Sequence, residues 1–155
     1  MSKKINERMS KKINELLRYC EEIFERGNLE LALRCAVSVS KANPDAPQPY
    51  AHVTAYRILL AAANNRTVAG EPDWYAVLGI NKRGSSKSLT NSIERRCSEL
   101  IEVLDGETGV FKVVLRVYDV VRVGVAELMD EDRRRAYDLR SGFLISSAES
   151  ISLLS

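Results

Sequence analysis

Apolar residues recur every three or four positions through most of the chain, which is the spacing of one face of an α-helix. This pattern predicts a first helix from Lys12 to Arg26. Its buried face is expected to carry Ile13, Leu16, Leu17, Cys20, Ile23 and Phe24. Gly27 and Asn28 are expected to end it, because glycine tolerates the left-handed backbone that follows many helices. Two more helices are predicted over 29–41 and 48–64, on either side of a Pro-rich break.

The second half of the chain predicts four further helices. They are a short turn over 74–78 that Gly79 ends, and longer segments over about 89–104, 110–128 and 130–138. The segment 110–128 is rich in valine, which favours strands. Its polar residues are nevertheless three to five positions apart, so the pattern predicts a helix. The sequence therefore predicts an all-α protein with about seven helices in two packed groups.

The Pro/Gly break near residue 70 divides the chain into a helical segment over 1–70, a second segment over 71–140 and a tail over 141–155. Because the junction is short, we expect the first two segments to pack together. The tail either forms a docking helix around 148–154 or stays loose. Residues 27–33 resemble the inter-helix turn of a tetratricopeptide hairpin, and a single hairpin of that kind implies a packing role, since stacked repeats are needed for a peptide groove.

Composition excludes several classes of protein. The net charge is only +2, so no strong nucleic-acid field is expected. Three widely spaced cysteines and one histidine give no zinc pattern, and the expectation is no metal, no cofactor and buried thiols in a reducing compartment. No apolar run reaches the ~20 residues of a membrane span. The expected location is the cytoplasm or the nucleus.

No residue pattern indicates an enzyme. His52 stands among apolar residues, where a structural role is expected, and Asp105 and Glu107 are interpreted as solvated loop carboxylates. The polar loop 81–88 lacks the spacing of a phosphate-binding loop. The three arginines 133–135 are flanked by acids, so a nucleic-acid or nuclear-localisation interpretation is weak.

Two motifs carry a resemblance to a known family. An Asp73-Trp74-Tyr75 opening followed by Leu78-Gly79 is separated by about sixty residues from an Arg-Ala-Tyr-Asp ending at 135–138. This arrangement resembles the J-domain of DnaJ-type co-chaperones, and the helical segment before it resembles a group of plant J-domain proteins.

The resemblance implies a function for each helix of the second segment. In that family the helix over 89–104 meets an ATP-driven heat-shock chaperone through a basic face, so Arg95 and Arg96 are candidate chaperone contacts. The charges from Lys87 to Asp105 are three positive and four negative, which does not favour an acidic partner. The family's structural positions correspond to Trp74, Tyr75, Leu78, Gly79, Tyr118, Ala136, Tyr137 and Asp138.

The sequence departs from the family where His-Pro-Asp is expected. Counting back from Tyr137-Asp138 places Asp105-Gly106-Glu107 there, and the distance from the opening is about one helical turn longer than usual. These three residues are candidate chaperone contacts with neither an imidazole nor a proline-restricted loop. Because the family's tripeptide couples docking to ATP hydrolysis, its replacement predicts absent or severely weakened stimulation.

The sequence therefore predicts a non-enzymatic, degenerate J-domain-like protein that acts as a regulatory co-chaperone or interaction module. Its expected partners are proteins, such as an ATP-driven chaperone or another J-protein. One alternative is an active co-chaperone with non-standard contacts. A second is a scaffold or oligomeric adaptor that uses the N-terminal hairpin and the valine-rich helix, through which homo-oligomers could form.

Overall fold

The computed structural model describes residues 2–105 and 111–144. Within them the chain forms seven α-helices and no strand, so the predicted all-α class and helix number are confirmed. The helices are α1 (Ser2–Glu25), α2 (Leu29–Ala42), α3 (Pro47–Asn64), α4 (Trp74–Leu78), α5 (Ser86–Leu104), α6 (Lys112–Met129) and α7 (Glu131–Arg140). An isolated antiparallel bridge joins Arg66 and Pro72 in the loop before α4.

Helix α1 is ten residues longer at its start than the apolar pattern predicted. Residues 7–12 are all exposed, so they bury no side chain that periodicity could detect. Lysine, glutamate, arginine and methionine have high intrinsic helix propensities, which is enough to extend a helix whose later turns are packed. Leu16, placed on the buried face from the sequence, is in fact 41% exposed.

The predicted helix ends are confirmed where capping residues mark them. Gly27 adopts a φ of 90° after α1, and the side chain of Asn28 accepts the Leu31 N–H at 3.1 Å to cap α2. Asp73 caps α4 in the same way by accepting the Ala76 N–H at 3.1 Å, and Gly79 follows with a φ of 71°. The valine-rich segment is helical as predicted, because its polar residues keep helical spacing.

The chain divides into two compact units. The first combines Met1–Leu60 with Ser98–Val120, and the second combines Ala61–Cys97 with Val121–Ser155. Helices α3, α5 and α6 therefore contribute residues to both units. The division at 70 and 140, and the packing of those segments, stay predictions, and the tail helix proposed over 148–154 lies outside the described residues.

Each unit has its own buried centre. In the first unit it includes Leu17, Cys20, Ala36, His52, Tyr56, Leu100, Leu104, Val113, Val114 and Val117. In the second unit it includes Trp74, Tyr75, Leu78, Ile93, Leu128 and Tyr137. Ile101, an apolar residue near the end of α5, is 41% exposed. Over the described part of the chain, no helix combines the length and apolar character that crossing a bilayer requires.

Candidate functional site

The two motifs that carry the family resemblance contact each other directly in the second unit. The Trp74 N–H donates to the Tyr137 hydroxyl at 2.9 Å, and that hydroxyl donates to the carbonyl of Pro72 at 2.6 Å. The Tyr75 hydroxyl donates to the carboxylate of Asp138 at 2.7 Å. All four ring or carboxylate side chains are buried. The opening and the ending of the motif therefore form one hydrogen-bonded cluster, as a structural role for these residues predicts.

Burial and this hydrogen bond have opposite effects on Asp138. Desolvation raises the pKa of the carboxyl group, while the Tyr75 hydroxyl and the nearby Arg134 and Lys82 charges act to lower it, and the net direction is upward. The pKa of Tyr75 is raised as well, first by burial and then by Asp138. The buried Asp138 carboxylate therefore has a hydrogen-bond donor in the Tyr75 hydroxyl.

Arg134 is a structural centre that the sequence did not reveal. Only 3% of this residue is exposed. Its guanidinium donates to the Leu128 carbonyl at 3.0 Å, to the Ser86 hydroxyl at 2.6 Å, to the Ser86 carbonyl at 3.2 Å and to the Thr90 hydroxyl at 3.2 Å. It therefore ties α7 to the start of α5 and the end of α6. The one available signal was its spacing of three and four from Tyr137 and Asp138, which places it on their face of α7.

A second arginine of this unit, Arg140, forms ion pairs with Glu71 and Glu127 near the motif. Arg140 bonds both oxygens of Glu71, at 2.7 and 3.0 Å, and one oxygen of Glu127 at 2.7 Å. The bidentate contact lowers the pKa of Glu71, chiefly through the hydrogen bonds from the guanidinium. The entry to α4 and the end of α7 are thereby joined a second time.

The two candidate docking arginines have different surroundings. Arg95 is exposed on α5. Arg96 is half-buried, and its Nε donates to the Leu78 carbonyl at 2.7 Å, at the end of α4. A Cβ placed on Gly79 would lie 3.5 Å from the same Nε. Arg96 therefore helps to cap α4 beside the Gly79 turn, and Arg95 is the one whose side chain faces solvent.

Of the three candidate chaperone contacts at 105–107, Asp105 lies within the described residues, whereas Gly106 and Glu107 do not. The Asp105 carboxylate accepts a short hydrogen bond from Tyr118 of α6 in the first unit. The bond contributes, after burial, to raising the pKa of Tyr118 to about 12. Asp105 thus holds the end of α5 to α6.

The start of α6 is held by an acid from α1. Glu21 accepts the Lys112 N–H at 2.6 Å, and Glu25 pairs with the Lys112 ammonium at 3.1 Å. The N-terminal amides of a helix favour a carboxylate, although burial leaves the pKa of Glu21 raised. This cap links residues 91 positions apart.

The remaining motif residue, Ala136, is exposed on α7, so it does not join the buried cluster.

His52 is fully buried, as a structural histidine is expected to be, and burial lowers its pKa. Its Nδ1 lies 3.1 Å from the Gln48 carbonyl oxygen, and its ring stands edge-on to Phe111 with centroids 4.5 Å apart. Residues 2–105 and 111–144 contain no group of three His, Cys, Asp or Glu side chains placed to hold a metal ion.

A cavity of about 280 Å³ lies beside the buried cluster in the second unit. Tyr75, Asp138 and Phe143 form part of its wall, and Lys82 reaches it from the loop between α4 and α5. Arg134, Arg135, Glu131 and Ser86 line it further along α5 and α7. No sequence pattern predicts this cavity, because its lining comes from four separate segments.

No protein-family model matches the chain, and no curated protein or solved structure matches it significantly.

Proposed function

We propose that this chain is a degenerate J-domain-like protein that works as an interaction module and does not stimulate ATP hydrolysis by a heat-shock chaperone. The observation that carries the proposal is the contact between the two motif ends, Trp74 to Tyr137 and Tyr75 to Asp138. Four residues singled out for the resemblance are thus partners of one another across 63 positions.

The order and length of the helices add support. The short α4 is followed by two long helices, α5 and α6, and by the short α7, which is the order that the resemblance implies. The caps at Asp73, Gly79 and Asp130 fall at the expected ends. The extra turn expected between opening and tripeptide belongs either to α5, which is 19 residues long, or to the loop before it.

The charges and contacts of α5 support the loss of stimulation. Arg96 is occupied by the Leu78 carbonyl and Asp105 by Tyr118, so both have structural roles. With no imidazole and no proline at 105–107, the coupling element of the family is missing. The exposed basic residues of α5 are then Lys87 and Arg95, and four acids lie on the same segment, which is weak steering for an acidic partner.

The decisive experiment measures single-turnover ATP hydrolysis by a heat-shock chaperone, with this protein alone and together with an active J-protein. We expect no stimulation by this protein alone and inhibition of the active J-protein. A matched variant carries Asp105→His, Gly106→Pro and Glu107→Asp, which restores the missing tripeptide. Stimulation by that variant but not by the original chain would support the proposal, whereas clear stimulation by the original chain would overturn it.

A second candidate is an oligomeric adaptor, favoured by large apolar side chains on the surface of the first unit. Leu115 on α6 is 55% exposed, and Met9 and Tyr19 on α1 are 52% and 58% exposed. Exposed apolar groups of this size favour association when they are contiguous. Sedimentation velocity over a concentration series tests it: a constant monomer together with chaperone-dependent effects would exclude the adaptor.

A further inference from the structure

The ammonium group of Lys82 is held by aromatic rings at the mouth of the cavity in the second unit. Its Nζ lies 3.5 Å from the centroid of the Phe143 ring and 5.8 Å from that of Tyr75. The two rings stand at 73° to each other with centroids 5.8 Å apart, so they form two walls of a corner. A cation over an aromatic face is attracted by the ring quadrupole.

A carboxylate lines the same cavity. Asp138 is hydrogen-bonded to the Tyr75 hydroxyl, and its side chain forms part of the cavity wall together with Tyr75 and Phe143. The position of Phe143 is fixed from the same residue, because the Phe143 and Leu144 N–H groups donate to the Asp138 carbonyl at 2.8 and 3.2 Å. The two rings and the nearby Asp138 carboxylate together form a preformed site for an alkylammonium group. We call this site, formed by Tyr75, Phe143 and Asp138, the cage.

We propose that Tyr75, Phe143 and Asp138 form a binding site for a lysine side chain of a partner polypeptide, and that Lys82 occupies it in the free protein as an intramolecular competitor. The chemistry of the ligand follows from the occupant, since the side chain already seated there is a lysine. Lys82 is exposed and belongs to the loop 79–85 rather than to a helix, so it can leave without breaking the fold.

The charges lining the cavity are compatible with this exchange. Lys82, Arg134 and Arg135 are positive, while Glu131 and Asp138 are negative, which leaves one net positive charge. An incoming lysine that replaces Lys82 leaves that balance unchanged. Arg134 cannot take over the cage, because its guanidinium is engaged by Ser86, Thr90 and Leu128.

Lysine binding at Tyr75, Phe143 and Asp138 involves no chaperone, so a peptide probe tests it independently of the J-domain-like proposal. The probe is the acetylated and amidated tripeptide Gly-Lys-Gly, and the neutral control replaces its lysine by norleucine. Binding is followed through the amide NMR signals of Phe143 and Leu144. The variant Lys82→Met keeps the apolar stem without the charge, and Arg83→Met is the matched change at the next position.

We expect Lys82→Met to bind the lysine peptide roughly three- to tenfold more tightly than the original chain and the Arg83→Met control, as expected for removal of a competing cation–π contact. Adding Phe143→Leu to Lys82→Met should remove most of that gain. Equal affinities in the original chain and Lys82→Met, or equal binding of the norleucine peptide, would overturn the proposal.

A second measurement uses the full chain without a ligand. The ε-methylene group of Lys82 is bonded to the Nζ atom that lies 3.5 Å from the Phe143 centroid, so its proton NMR signals should be shifted upfield, and Phe143→Leu should return them to ordinary values. Unshifted signals in the original protein would overturn the cage itself, whatever the peptide does.

Discussion

The hydroxyl of Tyr75 donates a 2.7 Å hydrogen bond to the carboxylate of Asp138, 63 residues further along the chain. Both residues are buried, so the donor satisfies an acceptor that water does not reach. This bond joins the beginning and the end of the 71–140 segment through side chains alone.

Removing that donor is expected to destabilise the protein. Tyr75→Phe leaves the ring in place but deprives the buried carboxylate of its partner, which should reduce the free energy of unfolding by about 1–3 kcal/mol. Urea denaturation followed by circular dichroism measures the change. Tyr118→Phe is the matched control: its partner Asp105 is exposed and can be hydrated, so a smaller loss is expected. Equal losses would contradict this account.

Asp138 and Glu71 should give stability profiles of opposite slope with pH. The pKa of Asp138 is raised in the folded protein, so its contribution is fully present below the ordinary value of about 3.8 and is lost as pH rises through the raised value. The pKa of Glu71 is lowered, so its contribution is present above about 4.5 and is lost on acidification. The slopes are opposite because folding strengthens proton binding by Asp138 and weakens proton binding by Glu71.

The test compares Asp138→Asn and Glu71→Gln with the original chain by denaturation from pH 3 to pH 7. The stability advantage of the original chain over Asp138→Asn should shrink as pH rises from about 4. Its advantage over Glu71→Gln should grow with pH over the acidic part of the same range and then become constant. Parallel profiles for the two variants would show that these pKa directions are wrong.

Substitution of Gly124 is expected to destabilise the protein although this glycine lies inside a helix. A Cβ at this position would meet the Trp74 ring at 2.5 Å, which is closer than atoms can approach. Elsewhere in a helix, glycine to alanine stabilises by about 1 kcal/mol. Here Gly124→Ala should instead destabilise by about 1–3 kcal/mol because the tryptophan must move. A thermal melt decides it, with the exposed Ser98→Ala on α5 as the control; a raised melting temperature for Gly124→Ala would refute the close contact.

Arg134 should differ sharply from its neighbour in sequence. Arg134→Met deprives the buried Leu128 carbonyl of the guanidinium donor and removes the side-chain contacts to Ser86 and Thr90, and a loss of about 2–4 kcal/mol is expected. Arg135→Met changes an exposed residue by the same substitution and should change stability little. Denaturant midpoints of the two variants measure the difference, and similar midpoints would exclude a structural role for Arg134.

The helices and their ends were predictable because they depend on local chemistry. Gly79 and Asn28 act within a turn of the residues they cap, and the polar residues of α6 display their period in a single segment. The early start of α1 was not predictable from periodicity, since residues 7–12 are exposed and contribute no buried apolar face, whereas their helix propensities are high.

The site was predictable only where a motif marked it. Tyr75 and Asp138 were singled out, and the structure brings them together. The structural role of Arg134 was not predicted, because it is one of three consecutive arginines. Its burial depends on acceptors from α5 and α6 that are distant in sequence. The cage around Lys82 was missed for the same reason, since Phe143 lies 61 positions away, in the tail that begins at residue 141.

The ion pair between Glu71 and Arg140 affects how the protein should respond to a pulling force. The chain enters the 71–140 segment and leaves it at the same place, where this ion pair and the Tyr137 hydroxyl bonds lie side by side. A force that pulls Arg66 away from Leu144 would therefore act on those bonds before it reached any helix. Under tension, such as threading into a protease or translocation through a pore, the segment should resist until this junction breaks and then extend in one step.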